Sequence, residues 1–112
     1  MRVIFLGTGD FSLEVLKAVD ASCHQVVAIV TQPDKVNGRN GKINFSPVKV
    51  YALDRSIPLY QFNSISKEGV ETLRSLNADI MLTSAYGQIL SDEVLAICPK
   101  GIINTHASLL PK

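Results

Sequence analysis

Apolar and polar positions along the chain switch between two periods, and the switching predicts the order of its elements. Val3, Ile4, Phe5 and Leu6 form a continuous apolar run, as expected of a strand covered on both faces in a parallel sheet. Gly7-Thr8-Gly9 ends the run. From Asp10, a suitable N-cap, residues Phe11, Leu13, Val15, Leu16 and Val19 recur at roughly helical spacing as far as Ala21. Residues 26–30 repeat the buried-strand signature at the distance of one strand-helix-strand crossover, so the predicted sheet is parallel.

The same pattern continues. Ser46 is placed to cap a helix with Pro47 at its first position and Val48, Val50, Tyr51 and Leu53 following. Residues 57–60 read as a short strand, and 67–76 as a helix with Val70, Leu73 and Leu76 on its inner face. Residues 80–82 give a fourth strand. Ser91 or Asp92 caps a short helix to about Ile97, Pro99 and Gly101 punctuate, and residues 102–104 give a fifth strand. Repeated strand and helix predict an α/β fold: a Rossmann-like, open, mainly parallel sheet with helices on both faces. Residues 32–47 interrupt the pattern with Pro33, Asn37-Gly38, Asn40-Gly41 and Pro47. They read as an exposed loop longer than a compact domain usually tolerates, and long ordered loops tend to be functional.

Composition agrees with a folded chain. At 112 residues, 46% hydrophobic and 19% charged, it suits one small domain or part of a larger one. No internal repeat, low-complexity stretch or domain boundary is visible. The formal net charge of +1 argues against a surface basic throughout, so any polyanion site must be local. Cys23 and Cys98 lack the CxxC spacing of a metal or redox motif and are too few for a disulfide framework, which fits buried thiols in a reducing compartment. The N-terminal apolar run is too short for a signal peptide or a spanning helix, so the expected location is the cytoplasm, with no membrane partner; an organellar form whose transit peptide has been removed would read the same way.

Candidate chemistry concentrates in a few places. Gly7-Thr8-Gly9-Asp10-Phe11-Ser12 resembles a dinucleotide fingerprint with Ser12 at the third glycine. However, Val30-Thr31-Gln32 ends the second strand where a ribose-binding carboxylate is expected, so the turn reads as structural. Asn104-Thr105-His106 stands where the fifth strand leaves the sheet. Alternation along a strand puts Asn104 and His106 on one side and Thr105 on the other. A carboxamide can donate to an oxyanion forming on a carbonyl, and an imidazole can move the proton of an attacking amine, which suits acyl transfer to nitrogen. The bland alternative is a capped or solvated strand end. No Ser or Cys nucleophile motif and no zinc-ligand spacing appears, and His24 reads as a surface or helix-end residue. Arg39 and Lys42, with Lys35 before and Lys49 after, form a basic cluster that is either a phosphate contact or a solvated loop.

Taken in order and spacing, the residues resemble the methionyl-tRNA formyltransferase family along nearly the whole chain. The resemblance rests on residues 2–11, Thr31-Gln32-Pro33-Asp34, Gly38-Arg39, Ser46-Pro47-Val48-Lys49, Ala85-Tyr86-Gly87-Gln88-Ile89-Leu90, and Asn104-Thr105-His106-Ala107-Ser108-Leu109-Leu110-Pro111. The last stretch is shared by folate-dependent formyltransferases generally, whereas the loop from Thr31 through Arg39 to Lys49 resembles the tRNA enzymes in particular. The resemblance implies transfer of a formyl group from 10-formyltetrahydrofolate to the α-amino group of methionyl initiator tRNA, without a metal. It implies that Asn104 and His106 are two of three catalytic residues. It further implies that Gln88, Ile89 and Leu90 line the pterin pocket, that Ser108, Leu109, Leu110 and Pro111 border the folate, and that Arg39, with Lys42 beside it, meets the tRNA acceptor end.

The chain departs from the pattern at Gly9, where the family usually has proline, a change that glycine's free backbone should tolerate. The resemblance also implies a catalytic aspartate, the rest of the catalytic domain and a C-terminal tRNA-binding β-barrel beyond Lys112, in an enzyme that is monomeric. The 112-residue segment alone is expected not to turn over. Alternative readings are a folate formyltransferase acting on a small amine, or a noncatalytic folate- or nucleotide-binding module on the same sheet.

Overall fold

In the computed structural model the first apolar run is strand β1 (Arg2–Gly7), the middle of the main sheet. The structure describes residues 1–33, 35, 36, 43–84, 86 and 90–105, with the backbone alone at 35, 36, 43 and 44. From β1 the chain runs through α1 (Asp10–Asp20), β2 (Gln25–Val30), an antiparallel hairpin of β3 (Lys35–Val36) and β4 (Ile43–Asn44), and α2 (Pro47–Asp54). Then come β5 (Leu59–Tyr60), a π-helical turn (Ile65–Gly69) leading into α3 (Val70–Arg74), β6 (Ile80–Ser84), α4 (Asp92–Leu95) and β7 (Ile102–Thr105).

Five strands lie in the order β5-β2-β1-β6-β7, every pair parallel. The chain therefore moves outward from β1 on one side, returns past it and moves outward on the other. Crossovers between parallel strands keep one hand, so reversing the direction of travel moves the helices to the opposite face. The two cores show this. Phe5, Val26 and Ile29 pack with Leu16 of α1 and Val48 and Ala52 of α2, whereas Ile4, Leu6 and Met81 pack with Leu73 of α3 and Val94 of α4. Neighbouring residues of β1 thus serve different cores, as the period of a strand requires, and Ile4, Phe5 and Leu6 have no exposed surface. This is the Rossmann-like open sheet that the sequence predicts. The first core's face is incompletely covered at its far edge, where Ile103 of β7 is 52% exposed.

Local chemistry sets the element ends. The Ser46 hydroxyl accepts from the Lys49 N–H at 3.2 Å with Pro47 at the first helical position, and the Ser91 hydroxyl caps α4 through the Val94 N–H at 3.3 Å. Several boundaries differ from the predicted ones: β5 covers Leu59–Tyr60 rather than 57–60, α4 ends at Leu95 rather than about Ile97, and three larger differences have local causes. The expected helix over 67–76 is a π turn followed by a short α-helix. The Ser64 carbonyl takes both the Lys67 and Glu68 N–H groups, while the Glu68 carboxylate accepts from the Asn63 N–H at 3.0 Å. It closes at Arg74 because Asn77, at φ 54°, turns the chain out of the helix. Strand β6 continues beyond Leu82 through Thr83 and Ser84, polar residues that hide its end in the sequence but pair with β7. Within the expected loop 32–47, β3 and β4 form a hairpin, so residues 37–42, themselves outside the described residues, connect two paired strands.

Candidate active site

Strand order places a topological switch point between β1 and β6, the two strands from which the chain departs in opposite directions. In open α/β sheets, ligands bind in the crevice beyond the carboxyl ends of the strands flanking such a point. Here those ends are Gly7 and Ser84, which are register partners.

Close packing closes the β1 side. A Cβ on Gly7 would lie 2.7 Å from the Ser84 carbonyl oxygen and 2.9 Å from Ser12 Cβ, so only glycine lets α1 begin against β6. Ser12 is fully buried and its hydroxyl donates to the Ser84 carbonyl, which gives the third fingerprint position a structural role. A Cβ on Gly9, by contrast, would meet nothing within 4 Å, and the residue has an ordinary φ of −84°. At the end of β2, Thr31 is buried and the Gln32 N–H donates to the Thr8 hydroxyl at 3.3 Å. The Gly-Thr-Gly turn is thus bound to its neighbours by packing at Gly7 and by the Thr8 hydrogen bond.

On the β7 side, Asn104 is the register partner of Thr83. The Thr83 hydroxyl donates to Asn104 Oδ1 at 2.9 Å, and the Thr105 hydroxyl donates to the Thr83 carbonyl at 3.1 Å. Thr83 is buried, whereas Asn104 is exposed. With its carbonyl end occupied, the Asn104 carboxamide keeps its NH2 end without a partner among the described residues, as a donor at the carboxyl edge of the sheet. Such a donor can stabilise negative charge developing on a carbonyl oxygen.

At and beyond the end of β6, two buried residues each carry a hydroxyl without a hydrogen-bond partner among the described residues: Ser84 through Oγ, and Tyr86, part of the core with Leu73 and Val94, through Oη. Burial first, and the nearby Glu68 charge second, push the Tyr86 phenol up to about 12, so it remains a neutral donor. Leu90 is half-buried and packs on the same core as Tyr86, just before the Ser91 N–H that donates to the Ser66 hydroxyl at 3.1 Å. Thr83 and Ser84 were not singled out by sequence reasoning. Their signal is two hydroxyl residues closing an apolar strand run beside a motif-bearing strand.

His106, Gln88, Ile89, Ser108, Leu109, Leu110, Pro111, Arg39 and Lys42 lie outside the described residues. Lys49 sits at the start of α2 with its Nζ 3.8 Å from the centre of the Phe45 ring. His24 Nδ1 is 3.0 Å from the N-terminal nitrogen, at the amino edge of the sheet and away from Asn104. His24 and Met1 line a cleft of about 190 Å³ together with Val3, Val19, Leu82 and Ile103, and its remaining lining is apolar. Cys98 is buried, its thiol pushed up by that burial and then by Asp79, but Cys23 is exposed, contrary to the expectation that both thiols are buried. Among the described residues no helix is long and apolar enough to cross a membrane.

Comparison with known proteins bears on the family and the fold. The formyl transferase family model matches residues 1–112. The whole chain aligns with methionyl-tRNA formyltransferases, at 50% identity for that of Xanthomonas oryzae pv. oryzae, 48% for that of a Sulfurihydrogenibium species and 43% for that of Buchnera aphidicola from Schizaphis graminum. It spans 36–37% of the length of these relatives. Among solved structures, phosphoribosylglycinamide formyltransferase from Bacillus halodurans superposes with a TM-score of 0.67 at 21% identity, covering 99% of this chain and 58% of that one. The corresponding enzyme from Anaplasma phagocytophilum gives 0.64 at 18%, covering 93% and 48%, and at these identities the likeness concerns the fold alone. With the strand order, the carboxamide at the end of β7 and a family match from first residue to last, the chain belongs to the formyl transferase family.

Proposed function

We propose that the protein carrying this chain transfers the formyl group of 10-formyltetrahydrofolate to the α-amino group of methionyl initiator tRNA, in the cytoplasm and as a monomer. The observation that carries the reading is Asn104: its carbonyl end is held by Thr83, and its NH2 end has no partner among the described residues at the sheet's carboxyl edge. That donor fits a formyl carbonyl. The identity of 43–50% to methionyl-tRNA formyltransferases over the whole chain supports the choice of acceptor.

The folate supplies an activated one-carbon unit already at the oxidation level of the product. Asn104 donates to the formyl oxygen as it gains charge; His106 takes the proton of the attacking amine, and a proton goes to the folate nitrogen as its bond to the formyl carbon breaks, which gives the formamide and tetrahydrofolate. Gln88, Ile89 and Leu90 hold the pterin, Ser108, Leu109, Leu110 and Pro111 border the rest of the folate, and Arg39 and Lys42 meet the tRNA. The reading includes the aspartate, the remaining catalytic domain and the barrel domain that the resemblance implies outside these 112 residues.

A small-amine acceptor is the alternative within the family. The test offers the full gene product initiator methionyl-tRNA and free small amines in parallel, with the same folate donor. Formylation of the tRNA at a kcat/KM far above that for any free amine supports the proposal, and the reverse preference overturns it.

A further inference from the structure

We propose that Thr83 is a positioning residue for the reaction: its hydroxyl fixes which end of the Asn104 carboxamide faces the crevice. The inference rests on the formyl-transfer reading and extends it to a residue on a different strand. The terminal torsion of an asparagine is broad, so an exposed carboxamide at a strand end has little to hold it. Thr83 changes that. It is the register partner of Asn104, is 6% exposed and is β-branched, so its own side chain is confined to few rotamers and presents Oγ1 at a fixed place.

Asn104 Oδ1 accepts from that hydroxyl at 2.9 Å. An oxyanion needs donors, and a carboxamide turned the other way would present a carbonyl lone pair to it. Holding Oδ1 inward therefore leaves the two N–H donors outward before substrate arrives, so the transition state does not have to reorient them. The Thr105 hydroxyl strengthens the arrangement from the neighbouring position by donating to the Thr83 carbonyl at 3.1 Å, which ties the last residues of β7 to β6. The role of Thr83 is geometric: no proton leaves its hydroxyl.

The experiment is a double-mutant cycle of Thr83→Val and Asn104→Ala in the full gene product, read as kcat and KM for both substrates, with Thr83→Ser as the rescuing variant. Thr83→Val removes the hydroxyl at nearly constant volume. It is expected to lower kcat about tenfold with KM little changed, the size of effect that one hydrogen bond carries. Thr83→Ser should restore most of the rate, and Thr83→Val should cost nothing further once Asn104 is alanine, because the two residues then act as one unit. Full kcat in Thr83→Val while Asn104→Ala is slow overturns the positioning role and leaves the formyl-transfer reading standing, as does an equal loss in both backgrounds. Full activity in Asn104→Ala removes the catalytic role of Asn104 itself. Should Thr83→Val fail to fold, Thr83→Ala supports the same cycle.

Discussion

The hydroxyl of Ser12 donates to the backbone carbonyl of Ser84, tying the first turn of α1 to the end of β6 across the last residue of β1. Three elements meet there, and Gly7 lies among them with no room for a side chain. The Gly-Thr-Gly turn therefore has two glycines with opposite requirements. Gly7→Ala forces a methyl group against the Ser84 backbone and should cost about 1–3 kcal/mol, the usual penalty of overpacking. Gly9, at φ −84° in open surroundings, is suited to proline, and Gly9→Pro should gain about 0.4–1 kcal/mol by restricting the unfolded chain. Denaturant melts of the two variants check the contrast, and a stable Gly7→Ala would contradict the packing account.

A second prediction concerns alkaline stability. The Tyr86 phenol has a folded value of about 12 against 10 when unfolded, so the unfolded chain loses its proton first. The native state then binds more protons than the unfolded state between pH 10 and 12, and stability falls as pH rises through that window. The slope from this one group is about 1.4 kcal/mol per pH unit at most. Tyr51, raised mainly by its hydrogen bond to Asp20, adds to the fall in the same direction. Tyr86→Phe also removes a buried hydroxyl that has no partner among the described residues, so it should leave neutral-pH stability equal or higher while flattening the loss above about pH 10. Thermal melts between about pH 8 and 11 measure both effects, and an unchanged alkaline slope counts against the burial of the phenol.

The third prediction tests the basic loop. Residues 37–42 connect the paired strands β3 and β4, and Arg39 and Lys42 belong to that connection. Arg39→Glu combined with Lys42→Glu should lower kcat/KM for methionyl-tRNA about tenfold or more at low salt and weaken the salt dependence, because fewer counterions are released. The KM for the folate donor should not move. Unchanged tRNA kinetics would favour a small-amine acceptor.

The main sheet was legible because each of its inner strands covers two cores: Val3 to Leu6 and Val26 to Val30 read as unbroken apolar runs for that reason. The cap at Ser46 was legible because capping is local. What stayed hidden depended on partners remote in sequence. Thr83 looks like an ordinary strand residue until β7 lies beside it, and the hairpin at Lys35–Val36 and Ile43–Asn44 is too short to outweigh the glycines and asparagines between its strands. The π turn at Ile65–Gly69 is a local widening of the helix that apolar periodicity does not report. For the site, residue type and place made Asn104 a candidate beside the alternative of a solvated strand end, the resemblance to folate-dependent formyltransferases implied its catalytic role, and the structure adds the hydrogen bond from Thr83 to its carbonyl end.

The most direct measurement is the single-turnover rate of formyl transfer to methionyl-tRNA by the full gene product and its Asn104→Ala variant, with both substrates saturating. Loss of one oxyanion donor predicts a rate about a hundredfold lower or more, with the folded state intact. A variant that formylates at the wild-type rate would contradict the assignment of that carboxamide to the reacting carbonyl.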